Sequence, residues 1–217
     1  MTLRQKIIKV SYKANACHIG SALSCVEIIQ SIGNRNPFIF AKASGISAYY
    51  CMKYDEKKAV KLLKKYPLPS KEAGLIWSGG SLGQGLSVAC GIALATWKRT
   101  YVLLGDGDLQ EGQTWEAIMF ASHHGLPVIA VIDRNRLQAL GRTEDICGLD
   151  PLKEKFLVFG WDVREVFGHS VEQINKAIKH CRIDQYITYK NQTITRINWM
   201  PYNLIHPVSL NLTICRH

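Results

Sequence analysis

The chain is long enough for one large domain with a buried core, since it has 217 residues, of which 47% are hydrophobic and 20% charged. Its 27 Lys and Arg exceed its 17 Asp and Glu and give a net charge of +10. The basic residues are scattered, apart from one lysine group at 53–65, and the longest apolar stretch is too short to span a bilayer. We therefore expect no nucleic-acid or membrane partner, and a phosphorylated ligand fits the charge.

The seven cysteines are an odd set without a C-x-x-C pair. This pattern, with no secretory leader ahead of it, favours neither a disulfide framework nor a zinc site. We predict a cytoplasmic protein. The basic segment 1–26 lacks the serine richness of a transit peptide, and we expect it to be part of the fold.

Apolar periodicity predicts the elements in chain order. The first part is predicted to contain helices at 3–16, 24–32, 55–65 and 86–97, with an irregular segment at 33–47. Beyond it, strands at 100–105, 127–133 and 161–167 alternate with helices at 113–124, 152–159 and 171–180. This alternation predicts an α/β fold with a doubly wound, mainly parallel sheet and helices on both faces. From residue 181 onward the apolar residues follow neither period for long.

Two polar residues follow neighbouring predicted strands. Asp106 comes directly after the strand 100–105, and Asn135 lies two residues past the strand 127–133. If these strands are adjacent, both side chains emerge at the carboxyl edge of the sheet, where open α/β sheets bind ligands. A carboxylate, an amide oxygen and a backbone carbonyl near Leu137 are the hard ligands that Mg²⁺ accepts beside phosphate oxygens.

Glycines flank the carboxylate in this pattern. Gly105 and Gly107 would let the backbone turn and approach a diphosphate closely. Taken singly, the Gly-Asp-Gly triplet is more often a tight turn, and Asn135 a loop residue. Their separation by one strand-helix-strand unit favours the metal-diphosphate interpretation.

The sequence resembles the transketolase family, and in particular the separate N-terminal subunits of split bacterial transketolases. The resemblance is carried by Gly105-Asp106-Gly107-Asp108-Leu109-Gln110-Glu111-Gly112, Trp115-Glu116-Ala117 and Asp133-Arg134-Asn135-Arg136-Leu137-Gln138, and also by Cys17-His18-Ile19-Gly20-Ser21 and Gly80-Ser81-Leu82-Gly83-Gln84-Gly85. It implies a thiamine diphosphate-binding fold at residues 1–180, with residues 181–217 a divergent tail that is incomplete or poorly ordered.

The resemblance also implies roles for single residues. His18 and Glu111 would be the catalytic residues, with His18 near cofactor and substrate and Glu111 in contact with the partner's activating glutamate. Thiamine diphosphate would be bound by His18, Gly80, Leu82, Gly105, Asp106, Gly107, Glu111 and Asn135. Asp106, Asn135 and Leu137 would hold Mg²⁺ or Ca²⁺.

The implied activity is transfer of a two-carbon ketol unit between sugar phosphates. The chain has no pyrimidine-binding half, so we expect its partner to be a C-terminal transketolase subunit, and we expect inactivity without it and a homo- or hetero-oligomer. The family's second histidine is replaced in Lys42-Ala43-Ser44-Gly45. Two alternatives stay open: a subunit of another thiamine diphosphate enzyme, such as a 2-oxoacid dehydrogenase or a deoxyxylulose-phosphate synthase relative, and a degenerate, non-catalytic remnant.

Overall fold

The computed structural model describes residues 1–180 and, as backbone only, one short strand near the end of the chain. The helices are α1 (Leu3–Ala14), α2 (Ile19–Ser24), α3 (Val26–Ile32), α4 (Ile46–Lys53), α5 (Glu56–Lys65), α6 (Gln84–Thr96), α7 (Gly112–His124), α8 (Thr143–Ile146), α9 (Leu152–Val158) and α10 (Val171–Lys179). The strands are β1 (Phe38–Phe40), β2 (Thr100–Gly105), β3 (Val128–Asp133), β4 (Leu137–Gln138), β5 (Gly141–Arg142), β6 (Asp162–Glu165) and β7 (Leu212–Cys215).

A five-stranded sheet with the order β1-β2-β3-β7-β6 forms the centre of the fold. The strands β1, β2 and β3 are parallel neighbours, whereas β7 pairs antiparallel with both β3 and β6. The predicted adjacency of the strands that carry the candidate site is therefore confirmed. The strands β4 and β5 form a separate antiparallel pair in the loop that follows β3.

Both faces of the sheet are covered by helices. Successive residues of the buried strands point to opposite faces, so each strand contributes side chains to two clusters. On one side Tyr101 and Leu103 pack in a cluster that includes residues of α1, α3, α4, α5 and α10. On the other side Val102 and Leu104 pack with residues of α6, α7 and α9. The predicted α/β fold with a doubly wound, mainly parallel sheet is confirmed.

Two predictions in the N-terminal part need correction. The helix predicted at 24–32 is present as α3 but begins at Val26, because Cys25 leaves the helical conformation with φ −98° and ψ 16° between α2 and α3. The segment predicted to be irregular contains β1 and the start of α4. All three residues of β1 are buried, so this strand lacks the alternation that marks a half-exposed strand.

The predicted divergent tail lies outside the described residues, apart from the backbone of β7. Across the described residues, every helix is too short or too polar to cross a membrane.

Candidate functional site

The candidate site lies at the carboxyl edge of the sheet, where β2 and β3 end side by side. Gly105, the last residue of β2, is paired in register with Asp133, the last residue of β3. Asp106 follows β2 directly, and Asn135 follows β3 by two residues. The parallel register thus brings the ends of the two predicted motifs together.

Asp106 presents one satisfied and one unsatisfied oxygen. Its carboxyl is buried, and Oδ2 accepts a hydrogen bond of 2.9 Å from the hydroxyl of Thr143. Oδ1 lies 3.1 Å from Nη1 of Arg134 as an ion pair, but no aligned donor hydrogen-bonds to it in the described part of the chain. Burial raises the pKa of the Asp106 carboxyl, although the charge of Arg134 and the bond from Thr143 oppose this effect.

Arg134 is a buried cation that the sequence motifs did not assign to the site. Its guanidinium contacts Asp106, Glu144 and, at 3.2 Å, Asp150. Burial disfavours its charged form, but these carboxylates outweigh that effect and raise its pKa. Arg134 therefore stays charged and ties the end of β3 to the loop around α8.

Asn135 is held at both ends of its side-chain amide. Its Nδ2 donates to Oγ of Ser24 over 3.3 Å, and its Oδ1 accepts from the backbone N–H of Leu137 over 3.0 Å. The hydroxyl of Ser24 in turn donates to Oδ1 of Asp133 at 2.8 Å. Asn135 is therefore joined to α2, which is far away in the sequence, while the side chain of Leu137 is exposed.

Lys42 is a second buried cation at this edge. Its Nζ lies 3.4 Å from Oδ2 of Asp133, and both side chains are almost fully buried. Lys42 also packs beside Gly105, where a Cβ would lie 3.4 Å from Cγ of Lys42. The edge thus carries two buried cations, Lys42 and Arg134, and each is paired with at least one carboxylate.

Asp108 connects the two glycine-containing motifs. Its Oδ2 accepts from the N–H of Gly105 at 2.8 Å, and its Oδ1 accepts from the N–H of Gly83 at 3.1 Å. Burial raises the pKa of Asp108 against the effect of these two bonds. The loop at 80–85 is therefore fixed beside the end of β2.

Leu82 lies over Gly107 in this arrangement. A Cβ on Gly107 would come within 3.2 Å of Cδ1 of Leu82, a tight contact that glycine avoids. Neither Gly105 nor Gly107 has a positive φ, whereas Gly83 has a φ of 81°. Gly107 is therefore in close contact with Leu82 without being in a left-handed turn.

Glu111 and His18 make no hydrogen bonds to the metal candidates in the described part of the chain. Glu111 is the exposed N-cap residue of α7 and makes no side-chain cap hydrogen bond. His18 is exposed at the start of α2, in the left-handed conformation with φ 62°. Within residues 1–180, no hydrogen bond or ion pair joins either side chain to Asp106 or Asn135.

The segment Lys42-Ala43-Ser44-Gly45 stands where the resemblance implies a histidine. Its Ser44 shares a hydrogen bond of 2.6 Å between its Oγ and Oγ of Ser21.

The residues at the edge fit a divalent cation. Asp106 Oδ1 is buried and lacks a hydrogen-bond donor, and Asn135 Oδ1 has one lone pair beyond that used by Leu137. Carboxylate and amide oxygens are ligands that a divalent cation accepts. Within the described ranges no three His, Cys, Asp or Glu side chains cluster as a metal site.

An open cavity of about 520 Å³ lies next to this region, between the start of α7 and α9. It is lined by apolar side chains such as Leu109, Trp115 and Val158, together with Cys147 and Lys155. None of the predicted site residues lines it. We therefore place the candidate site at the sheet edge and not in this cavity.

The family match and similar curated proteins all point to the same family. Residues 64–193 match the family described as transketolase, thiamine diphosphate binding domain. The chain is 31% identical over 206 residues to one subunit of the apulose-4-phosphate transketolase of Phocaeicola vulgatus, with 81% of this chain and 73% of the relative covered. It is 30% identical over 218 residues to the SqwG subunit of the 6-deoxy-6-sulfo-D-fructose transketolase of a Clostridium species, with 83% and 77% covered.

Solved structures show the same likeness. The transketolase of Campylobacter jejuni superposes with a TM-score of 0.68 at 27% identity over 82% of this chain. The chain spans only 34% of the length of that transketolase. The likeness therefore concerns one part of a longer enzyme.

Proposed function

The chain belongs to the transketolase family, and we propose that it is the N-terminal, cofactor-binding half of a thiamine diphosphate- and Mg²⁺-dependent transketolase. The observation that carries the proposal is the pair of oxygens at the sheet edge, Asp106 Oδ1 and Asn135 Oδ1. The apulose-4-phosphate transketolase relatives are named as single subunits of their enzymes, which supports a division into two chains.

In this proposal Asp106, Asn135 and the backbone carbonyl of Leu137 hold Mg²⁺. The small residues Gly105 and Gly107 allow the diphosphate to approach the backbone. Lys42 and Arg134 are already paired with carboxylates at this edge, so Mg²⁺ would supply the positive charge that the diphosphate needs. Gly80 and Leu82 border the cofactor rings, His18 faces cofactor and substrate, and Glu111 meets the partner.

The bound cofactor supplies the carbanion chemistry for moving a two-carbon ketol unit, while the protein binds and orients it. We propose anionic sugars, and sugar phosphates in particular, as substrates. The net charge of +10 supports this choice, as do relatives named for apulose 4-phosphate and for a sulfo-sugar. Residues 1–180 as the cofactor domain, an oligomer and a cytoplasmic location are parts of the same proposal.

Mg²⁺-dependent binding of thiamine diphosphate tests the metal assignment. We expect Asp106→Ala and Asn135→Ala each to weaken binding by at least about tenfold, because each removes a hard oxygen from the cation. Titration calorimetry with the whole chain at saturating Mg²⁺ measures the effect. Asp145→Ala is the matched control, because this carboxylate lies in α8, in the segment that follows β3, but is exposed.

Thermal unfolding would show that the variants keep their fold. Thiamine diphosphate with Mg²⁺ should raise the melting temperature of the wild-type chain, because a ligand that binds only the native state stabilises it. Unaltered affinity in both Asp106→Ala and Asn135→Ala would refute the metal assignment. A wild-type chain that folds but binds no cofactor would instead support a degenerate remnant.

A further inference from the structure

We propose that Ser24 is a positioning residue, which binds the nitrogen end of the Asn135 amide and so determines that the oxygen end faces the cation. The inference rests on the proposed function and adds a residue that the sequence motifs did not indicate. Ser24 is the last residue of α2 and lies 111 positions before Asn135 in the chain. The geometry around its hydroxyl supports the assignment.

The donors and acceptors around Ser24 leave one arrangement. The Asp133 carboxylate, paired with Lys42 at 3.4 Å, only accepts hydrogen bonds, so the single proton of the Ser24 hydroxyl points to it over 2.8 Å. The oxygen of Ser24 can then only accept a further bond. Asn135 therefore has to offer its Nδ2 hydrogens to Ser24, over 3.3 Å.

The other end of the amide is fixed independently. The backbone N–H of Leu137 can only donate, and it lies 3.0 Å from the oxygen of Asn135. Both ends of Asn135 thus require the same orientation, with Nδ2 towards Ser24 and Oδ1 towards Leu137. The oxygen and nitrogen of an Asn amide are similar in shape, and here the hydrogen bonds with Ser24 and Leu137 determine which is which.

A flipped amide would break both hydrogen bonds. It would also turn N–H donors towards the position that the proposed function gives to Mg²⁺, where a cation needs a lone pair. Lys42, Asp133 and Ser24 therefore form a chain that prepares Asn135 for metal binding before the metal arrives. Such outer partners of metal ligands commonly change metal affinity by about ten- to a hundredfold.

Calorimetric titration of the whole chain with thiamine diphosphate, with Mg²⁺ and with EDTA in its place, tests the assignment. We expect Ser24→Ala to weaken the Mg²⁺-dependent affinity by about tenfold and to leave the binding in EDTA unchanged. Ser24→Thr, which keeps the hydroxyl, should restore most of the loss. Ser31→Ala is the matched control, because it removes a buried hydroxyl that bonds only to the backbone of Glu27.

A double-mutant cycle separates positioning from a general structural effect. If Ser24 acts through Asn135, Ser24→Ala should cost nothing further in an Asn135→Ala background. Equal affinity of wild type and Ser24→Ala, or the same tenfold loss in both backgrounds, would overturn the inference. Absence of Mg²⁺-dependent binding in the wild type would instead overturn the proposed function, and the role of Ser24 with it.

Discussion

At the scale of single residues, the site combines groups that sequence motifs reveal with groups that only the fold brings together. Asp106 and Asn135 follow apolar strands at a spacing that predicts their proximity. Arg134, Lys42 and Ser24 complete their surroundings. The carboxylates outnumber the buried cations with which they pair, which makes this edge suited to a divalent cation that can in turn bind an anionic ligand.

A second charged cluster, away from the site, gives a test of stability against pH. Arg4 donates to Glu27 at 2.9 Å, and His169 contacts the same carboxylate at 3.1 Å. Burial opposes ionisation of Glu27, but the hydrogen bonds from Arg4 and His169 outweigh it and lower its pKa. A carboxyl with a lowered pKa in the folded state stabilises the fold above its unfolded pKa, and this contribution is lost as the pH falls.

We therefore expect Glu27→Gln to reduce the free energy of unfolding by about 1 kcal/mol at neutral pH, since Arg4 is partly exposed. The difference from wild type should shrink as the pH falls below about 4.3, the usual pKa of an unfolded Glu. Urea unfolding at several pH values measures it. Glu116→Gln on the exposed side of α7 serves as control. A difference that stays constant down to about pH 3 would contradict this explanation.

At the scale of elements, the sequence predicts the helices and strands that are marked by a pattern of neighbouring residues, such as an apolar run or a helix cap. The strands β2 and β3 are continuous apolar runs, and the helix α5 begins after Asp55, whose side chain accepts from the N–H of Lys58 at 2.9 Å. The three-residue strand β1 and the break at Cys25 have no such pattern. Contacts such as Ser24 with Asn135 join distant parts of the chain, and a single sequence carries no signal for them.

The helix α6 is unusual because no residue in Gln84–Thr96 is charged. It packs on the sheet and beside α7, and the two helices expose Leu94, Met119 and Phe120 to between 40 and 49%. A helix on a protein surface usually carries charges on its outer face. Since Glu111 is the N-cap of α7 and the proposed function brings it to the partner subunit, we assign the partner to this side of the sheet.

A charge on this face should therefore weaken binding of the partner. We expect Leu94→Glu to reduce the affinity for a C-terminal transketolase subunit by more than about tenfold, because the carboxylate would be buried without a partner charge. Ile8→Glu is the matched control: Ile8 is also exposed, but α1 packs on the opposite side of the sheet. Analytical ultracentrifugation of the mixed subunits measures both. Equal weakening by the two variants, or none by Leu94→Glu, would refute this assignment.

At the scale of the whole molecule, the chain corresponds to about a third of a solved transketolase, with 34% of that chain covered. Under the proposed function it holds the metal and the diphosphate, while the activating glutamate comes from the other subunit. The purified chain should thus bind the cofactor but show no turnover, because binding at one end does not position the reacting carbon. Addition of a C-terminal subunit should start ketol transfer.

A coupled assay of the two subunits, each alone and then mixed, tests this expectation, with ketose phosphates and pyruvate compared as donors. Transfer from ketose phosphates only in the mixture is the expected outcome, and Asp106→Ala in the same mixture is the inactive control. Preference for pyruvate would favour another thiamine diphosphate enzyme. Full activity of the chain alone would contradict the need for a partner, because one half would then supply every group that the reaction requires.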